Sequence, residues 1–227
     1  ECTGKNPVKI EVGDGEHEMV GVAGNTYAGQ ITHVNCSNIA IVGKGKCKTT
    51  VLGGFYVNGK QNVNIEQLTT YAHGGTGLFC EGSGTNVAVM ECCFQRGKCG
   101  LVVRNGANGT ATQCDFVGND QYGVICGSAH TRVRLNDCTI HHNGTGVCAY
   151  DHVAMDLCGT KTDVHSSNKG SGIFAIQNAK VNIHLPSQHN TIHDNVQGNQ
   201  VQDEGGSIAN INADGTFTHV VVEDNDY

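Results

Sequence analysis

Apolar and polar residues alternate along this chain in short stretches, and the stretches return at a fixed step. A glycine followed by an apolar residue recurs at Gly54-Phe55, Gly77-Leu78, Gly100-Leu101, Gly123-Val124, Gly146-Val147 and Gly172-Ile173, at intervals of 23, 23, 23, 23 and 26 residues. Ile31 lies 24 residues before Phe55 and Val201 lies 28 after Ile173, which carries the step outward in both directions. Four equal steps with matching flanks are the mark of a repeat whose units stack on one another.

Each unit subdivides. In the one that starts at Val124, alternation turns Val124 and Cys126 inward, then Val133 and Leu135, then Cys138 and Ile140, with a corner at Asn136-Asp137 and a closing turn through His141-His142-Asn143-Gly144. This is three short strands of period two, with no segment of helical period. Equivalent positions in successive turns stack about 4.8 Å apart. Three columns are expected to fill the interior: Leu78, Leu101, Val124, Val147 and Ile173; Val87, Val133, Val153 and Val181; and Cys92, Cys114, Cys138 and Cys158. Asn119, Asn143 and Asn168 hold a nearly constant offset before the repeating glycine and are expected to be left-handed turn residues whose amides ladder between turns. A leucine-rich horseshoe lacks support, since neither its leucine signature nor its helical segment is present. The pattern predicts an all-β fold: a single-stranded right-handed parallel β-helix of about eight or nine turns of about 23 residues each. It forms one domain over residues 1–227, regular at about 31–172 and with longer irregular turns at 173–227.

Composition agrees and narrows the function. The 32 Gly, 2 Pro and absent Trp suit strands and tight turns better than helices. A net charge of −7 argues against a nucleic-acid partner, because phosphate binding needs a surplus of Lys and Arg. No run approaches the roughly 20 apolar residues of a membrane span. Twelve cysteines, a start at Glu1-Cys2-Thr3 without an initiator Met, and glycosylation sequons at Asn35, Asn108 and Asn143 point to a secreted protein, with a cytoplasmic one as the alternative.

Val8-Lys9-Ile10-Glu11-Val12-Gly13-Asp14-Gly15-Glu16-His17, Ile39-Ala40-Ile41-Val42-Gly43-Lys44-Gly45 and Asn62-Val63-Asn64-Ile65-Glu66-Gln67-Leu68 resemble the opening strand and first turns of the pectate-lyase-like superfamily of right-handed β-helices. Cys138-Thr139-Ile140-His141-His142-Asn143-Gly144-Thr145-Gly146-Val147 is similar to the short repeats of alginate epimerases and of certain ubiquitin-ligase adaptors. The resemblance spans nearly the whole chain and speaks to architecture. It implies a groove along the first strand of each turn. The alginate-epimerase motif continues, after residues similar to Tyr122-Gly123-Val124, with an Asp, a Pro and a His. Here Ile125-Cys126-Gly127 follows, so no catalytic Asp and His stand at the matching positions.

Alternation puts Tyr56, Phe79, Val102, Ile125, Cys148 and Phe174 on the outer side of those first strands, beside a second row of Asn58, Glu81, Arg104, Gly127, Tyr150 and Ile176. A contiguous exposed apolar stripe marks a binding surface, so Tyr56, Phe79, Val102, Ile125 and Phe174 are the candidate interface. For catalysis on a uronate, a cation must neutralise the carboxylate and a base must sit near the ring. The candidates are Tyr150, Asp151 and His152 with His130 and Arg104, where Tyr or His acts as base and Arg104 as clamp. No metal ligand set and no cofactor is expected: Cys-x-x-Cys is absent, and His189 and His193 lie in an Asn-rich late segment.

The cysteines allow two readings. They are small apolar core residues, or they bridge within turns as Cys80–Cys92 and Cys126–Cys138, both 12 residues apart, with Cys36–Cys47 and Cys148–Cys158 close to that spacing. Neither end shows a cap: only residues 1–7 precede the first strand, and Phe217-Thr218-His219-Val220-Val221-Val222 reads as a last strand followed by the acidic Glu223, Asp224 and Asp226. Unpaired edges at both ends predict a homo-oligomer or head-to-tail polymer, with Lys5 and Lys9 facing the acidic end. Two classes of function stay open. One is a non-enzymatic scaffold that self-associates or binds a partner on its first-strand face, carbohydrate included. The other is a polysaccharide lyase, hydrolase or epimerase.

Overall fold

The structure, a computed structural model, describes residues 7–18, 30–165, 169–184 and 191–218. All regular structure among them is strand, arranged in one ten-stranded and two eight-stranded sheets. Apart from the strands at the ends, each strand pairs in parallel with the third strand before it and the third after, so the chain visits three walls in turn and rises one strand spacing per circuit. The groove wall runs from Ile31–Val34 through Gly54–Asn58, Thr76–Glu81, Cys99–Arg104, Tyr122–Gly127, Thr145–Ala149 and Ile173–Ala175 to Gln200–Gln202. The long wall starts at Val8–Glu11, and the third wall runs from Gly15–Glu18 to Thr191–His193. About seven circuits are complete, flanked by partial ones. This is the parallel β-helix that the repeat predicts.

The first column is as the alternation predicts. Leu78, Leu101, Val124, Val147 and Ile173 are paired in register and buried, with Phe55 added below Leu78. The other two columns need correction. Val63, Val87, Gly109, Val133, Met155, Val181 and Ile208 are the residues in register on the long wall, so Met155 takes the place expected for Val153. Val153 sits two residues earlier, at the corner. A shift of two leaves every side chain on the same face, so alternation is blind to it. The gap at Gly109 is filled by Val103, whose Cγ2 lies 3.0 Å from where a Cβ would stand.

The cysteine column holds for Cys92, Cys114 and Cys138, which are buried and follow Leu68. It ends there, because Cys158 pairs with Asn136 and Thr162 stacks on Cys138. The corner from Cys158 to Asp163 is two residues longer than that from Asn136 to Thr139. Asp137 Oδ1 anchors the extra length by accepting from the amides of Thr160 and Lys161, at 2.8 and 3.0 Å. One residue before each column member, Gln67, Glu91, Gln113 and Asp137 adopt positive φ of 50–55° and make the corner tight.

The structure forms none of the expected cysteine bridges: Cys36, Cys47, Cys80, Cys92, Cys126, Cys138, Cys148 and Cys158 are free thiols in it. A spacing of 12 carries the chain from the groove wall, where Cys80 and Cys126 lie, past the whole long wall to the corner of Cys92 and Cys138. A thiol's neighbours are instead one turn away. The Cys92, Cys114 and Cys138 thiols donate to the Met90, Thr112 and Asn136 carbonyls, each at 3.3 Å, and burial together with the neighbouring Cys114 pushes the Cys92 thiol up. The same neighbour, then burial, pushes Cys138 up. Cys92 and Cys138 are therefore buried core residues of low reactivity.

The glycine of each repeat and the asparagines share one cause. A Cβ at Gly123 would stand 2.7 Å from the Gly146 carbonyl oxygen and from Ile140 Cγ2, so the next turn packs directly on the backbone. Beside it Asn119 and Asn143 are buried. The Asn119 amide group donates to Asn143 Oδ1 at 2.9 Å and to the Phe94 carbonyl at 3.2 Å, and Asn143 Nδ2 donates to the Phe116 carbonyl at 2.9 Å. The expected ladder is present, but neither asparagine has positive φ; they are internal rungs and not left-handed turn residues. Asn195 extends the pattern by donating to the Val164 carbonyl at 3.3 Å. Asn168 lies outside the described residues.

The two ends differ. The long wall begins at the edge strand Val8–Glu11, which among the described residues pairs with Ile39–Val42. At the other end Phe217–Thr218 turns back antiparallel onto Ser207–Ile211, with Thr218 opposite Asn210 and Phe217 opposite Ile211. The reversal is closed by Asn212 N–H donating to the Thr216 carbonyl at 2.9 Å and by Thr216 Oγ1 donating to Asp214 at 2.7 Å. Of the expected strand, Phe217–Thr218 is described, and it covers Asn210 and Ile211 at the last parallel edge of this sheet. Lys5 and residues 219–227 lie outside the described residues.

Candidate functional site

On the outer face of the groove wall, pairing puts His33, Tyr56, Phe79, Val102, Ile125, Cys148, Phe174 and Val201 in one row. The row is the predicted one, but it is not a bare stripe. Phe79, Val102 and Cys148 are buried, and Tyr56, Ile125 and Phe174 are half-buried. Of these, Tyr56, Phe79, Val102 and Ile125 form a small second core with Ile31, Cys99 and Tyr122, outside the main one.

The cover comes from the second row. Asn58, Glu81, Arg104 and Gly127 are paired in register there. Glu81 is its hub. Tyr56 Oη donates to Glu81 Oε1 at 2.5 Å, Arg104 Nε donates to Oε2 at 2.8 Å, and Asn105 Nδ2 donates to Oε2 at 3.2 Å. The Arg104 guanidinium lies 4.6 Å over the Phe79 ring and so roofs the row. Partial burial would raise the Glu81 carboxyl, but the hydrogen bonds from Tyr56 and Arg104 outweigh it and hold the carboxyl below its ordinary value. Burial, and then the bond to Glu81, pushes the Tyr56 phenol up. At neutral pH this leaves a protonated phenol, an ionised carboxylate and a guanidinium, with charges balanced.

One turn on, Gly127 stands where Tyr150 needs room. A Cβ there would lie 2.0 Å from Tyr150 Cζ, so the ring rests on the Gly127 backbone. Between these covers is a groove of about 410 Å³. Its floor is Phe79, Val102, Ile125, Cys148 and Phe174; its sides carry Arg104, Tyr122, Tyr150, Gln121 and Gln177. Burial pushes the Cys99 and Cys148 thiols up to about 11 and about 12, which removes them as nucleophiles.

The candidate catalytic residues are not brought together. Tyr150 and Arg104 line the groove, whereas Asp151, His152 and His130 do not. Asp151 and His152 pair with each other at 3.2 Å on an outer corner, both at positive φ of 59° and 60°. His130 is exposed at another corner, at φ 66°. Of the sequon residues, Asn35 and Asn108 are exposed, while Asn143 is buried with its amide fully engaged and cannot accept a glycan in the folded chain. Among the described residues no three His, Cys, Asp or Glu side chains form a metal cluster. The residue that sequence reading placed in the second row without a role is Glu81. Its signal was the offset of 23 to Arg104, one turn away.

A family model described as "Right handed beta helix region" matches residues 15–137. A search of curated proteins finds no match. Among solved structures, the A-module of the mannuronan C-5 epimerase AlgE6 of Azotobacter vinelandii is similar at 12% identity, over 91% of this chain and 85% of that one, with a TM-score of 0.30. The AlgE4 A-module of the same organism is similar at 11% identity, over 89% and 87%, with a TM-score of 0.36.

Proposed function

We propose that this chain, which belongs to the right-handed β-helix family, is a non-enzymatic recognition scaffold that holds a neutral oligosaccharide in the groove of its first-strand wall. The observation that carries the reading is the make-up of that groove. An apolar floor is flanked by the rings of Tyr122 and Tyr150 and by the amides of Gln121 and Gln177. A concave apolar site with a few convergent polar groups is the usual form of a ligand pocket. Rings offer flat surfaces to the C–H faces of a sugar, and amides offer paired donors and acceptors to its hydroxyls. The one cation in the lining, Arg104, already faces Glu81 at 2.8 Å, so the site has no unbalanced positive charge to favour a polyuronate.

The second reading, a lyase, hydrolase or epimerase working in the same groove, has the short Tyr56–Glu81 contact in its favour. Against it, a lyase or epimerase base must give up its proton readily, and Tyr56 is shifted the other way. A hydrolase needs two carboxyl groups roughly 5–9.5 Å apart across the bond, and the groove lining holds no Asp or Glu. Calorimetric titration with cello-, manno- and xylo-oligosaccharides, beside oligouronates, tests the proposal when run with assays for new reducing ends and unsaturated products. Binding of a neutral series without turnover is expected. Turnover of any of these sugars, or binding confined to the uronates, would overturn it.

A further inference from the structure

The long wall starts at an exposed edge that carries apolar side chains. Val8 and Ile10 are 49% and 46% exposed, although they stand in register with Ile39 and Ile41 of the core. Val12 packs partly against the same core. The Val8 and Val12 amides donate to the Asn38 and Val42 carbonyls, at 2.7 and 2.8 Å. In a parallel ladder alternate residues bond to opposite sides, so the amides and carbonyls of Lys9 and Glu11 point to the open edge. Their side chains lie on the outer face, 55% exposed each, where Lys9 Nζ meets Glu11 Oε1 at 2.8 Å.

We propose that this strand is the interface of a head-to-head dimer, with Val8–Glu11 of one copy pairing antiparallel with the same strand of a second copy about a two-fold axis through Ile10. The register follows from charge. Centring the axis on Lys9 would set Lys9 against Lys9, and centring it on Glu11 would set Glu11 against Glu11. Centring it on Ile10 sets Lys9 against Glu11 twice, Ile10 against Ile10, and Val8 against Val12. In that register each Lys9–Glu11 pair is of the hydrogen-bonded kind that exchanges two backbone bonds, so the open groups of both edges are satisfied. Side chains directly opposite point to the same face, so Val8, Ile10 and Val12 of both copies join one apolar row continuous with the two cores. The contact is isologous and closes at two copies. At the other end of the same wall, Phe217–Thr218 runs antiparallel over Asn210 and Ile211. The head-to-tail filament expected from two open parallel edges is thereby replaced by a closed pair.

Sedimentation equilibrium of the 227-residue chain tests the pairing. The expected result is a monomer–dimer equilibrium with a dissociation constant on the order of 10 μM to 1 mM, the range of small contacts. Ile10→Lys, which sets two ammonium groups face to face on the axis, is expected to leave only monomer. Lys9→Glu and Glu11→Lys should each do the same, since each creates like-charge pairs across the axis. The double variant Lys9→Glu/Glu11→Lys restores opposite charges and is expected to recover the dimer. These two positions are exposed, so the charge variants decide the matter even where Ile10→Lys disturbs folding; far-UV circular dichroism checks that they remain folded. A native chain that stays monomeric across the range, a series of species growing beyond two, or a folded double variant that stays monomeric would each overturn the proposal.

Discussion

The inner and outer faces of the groove wall are made by the same strands and are both apolar, yet they do different things. Inward, Leu78, Leu101, Val124, Val147 and Ile173 are closed on every side by two other walls and make one core. Outward, Phe79, Val102, Ile125, Cys148 and Phe174 are closed only by what the neighbouring row lays over them: a guanidinium, two tyrosine rings and a few amides. Burial on the inner face is a property of the fold. On the outer face it is a property of four or five polar side chains, which is why a groove remains there.

The sharpest way to break this contrast is to place a charge on each face. Leu101→Asp buries a carboxylate with no partner in the stacked core and is expected to destabilise by more than about 4 kcal/mol, enough to prevent folding. Ile125→Asp, on a neighbouring strand but facing out, is expected to leave the thermal transition within a few degrees of the native one while removing sugar binding. Equal effects of the two in a melting experiment would show that the outer row is core as well.

A smaller effect comes from the cover itself. Gly127→Ala pushes a methyl into the Tyr150 ring, and forced displacement of this kind costs about 1–3 kcal/mol. The urea midpoint should fall accordingly, and affinity for the sugar should fall with it, since Tyr150 forms one side of the groove. A variant with the native affinity would take Tyr150 out of the site.

The thiols give a kinetic version of the same comparison. Cys80 and Cys126 face the main core, whereas Cys99 and Cys148 lie beside the groove. Alkylation followed by peptide mapping should label Cys99 and Cys148 in the native protein well before Cys80 and Cys126. Denatured without reductant, the chain should present at least the eleven free thiols of the structure; a count of four or fewer would reject this thiol assignment.

The smallest effect is expected at Glu81. Its carboxyl is held below the ordinary value of 4.5, so the stability it contributes is present above that value and is lost as pH falls through the lower, folded-state value. Glu81→Gln should flatten this part of the acid limb by about 1 kcal/mol or less, as for an ion pair that solvent still reaches in part. It should leave stability above pH 6 with little pH dependence from this group. An unchanged acid limb would mean that the Tyr56–Glu81–Arg104 cluster does not form in solution.

The parallel β-helix, its 23-residue step, the first core column and the outer row are all legible along the chain. Each depends only on alternation and on repetition, and both are written along the chain. The sequence could not separate Val153 from Met155, since a slip of two residues preserves the face. Nor could it foresee Cys158 leaving its column, since that depended on a corner two residues longer. Cysteine spacing misled for a related reason: contacts in a stacked fold run between turns, while spacing within a turn crosses from wall to wall. Tertiary structure alone decided that Arg104 is engaged by Glu81, that Tyr150 lies over Gly127, and that Asp151 and His152 face away from the groove. Each of these turns on where a long side chain goes once a neighbouring turn is in place. It also decided that Phe217–Thr218 folds back over Asn210 and Ile211, where the repeat alone would continue in parallel.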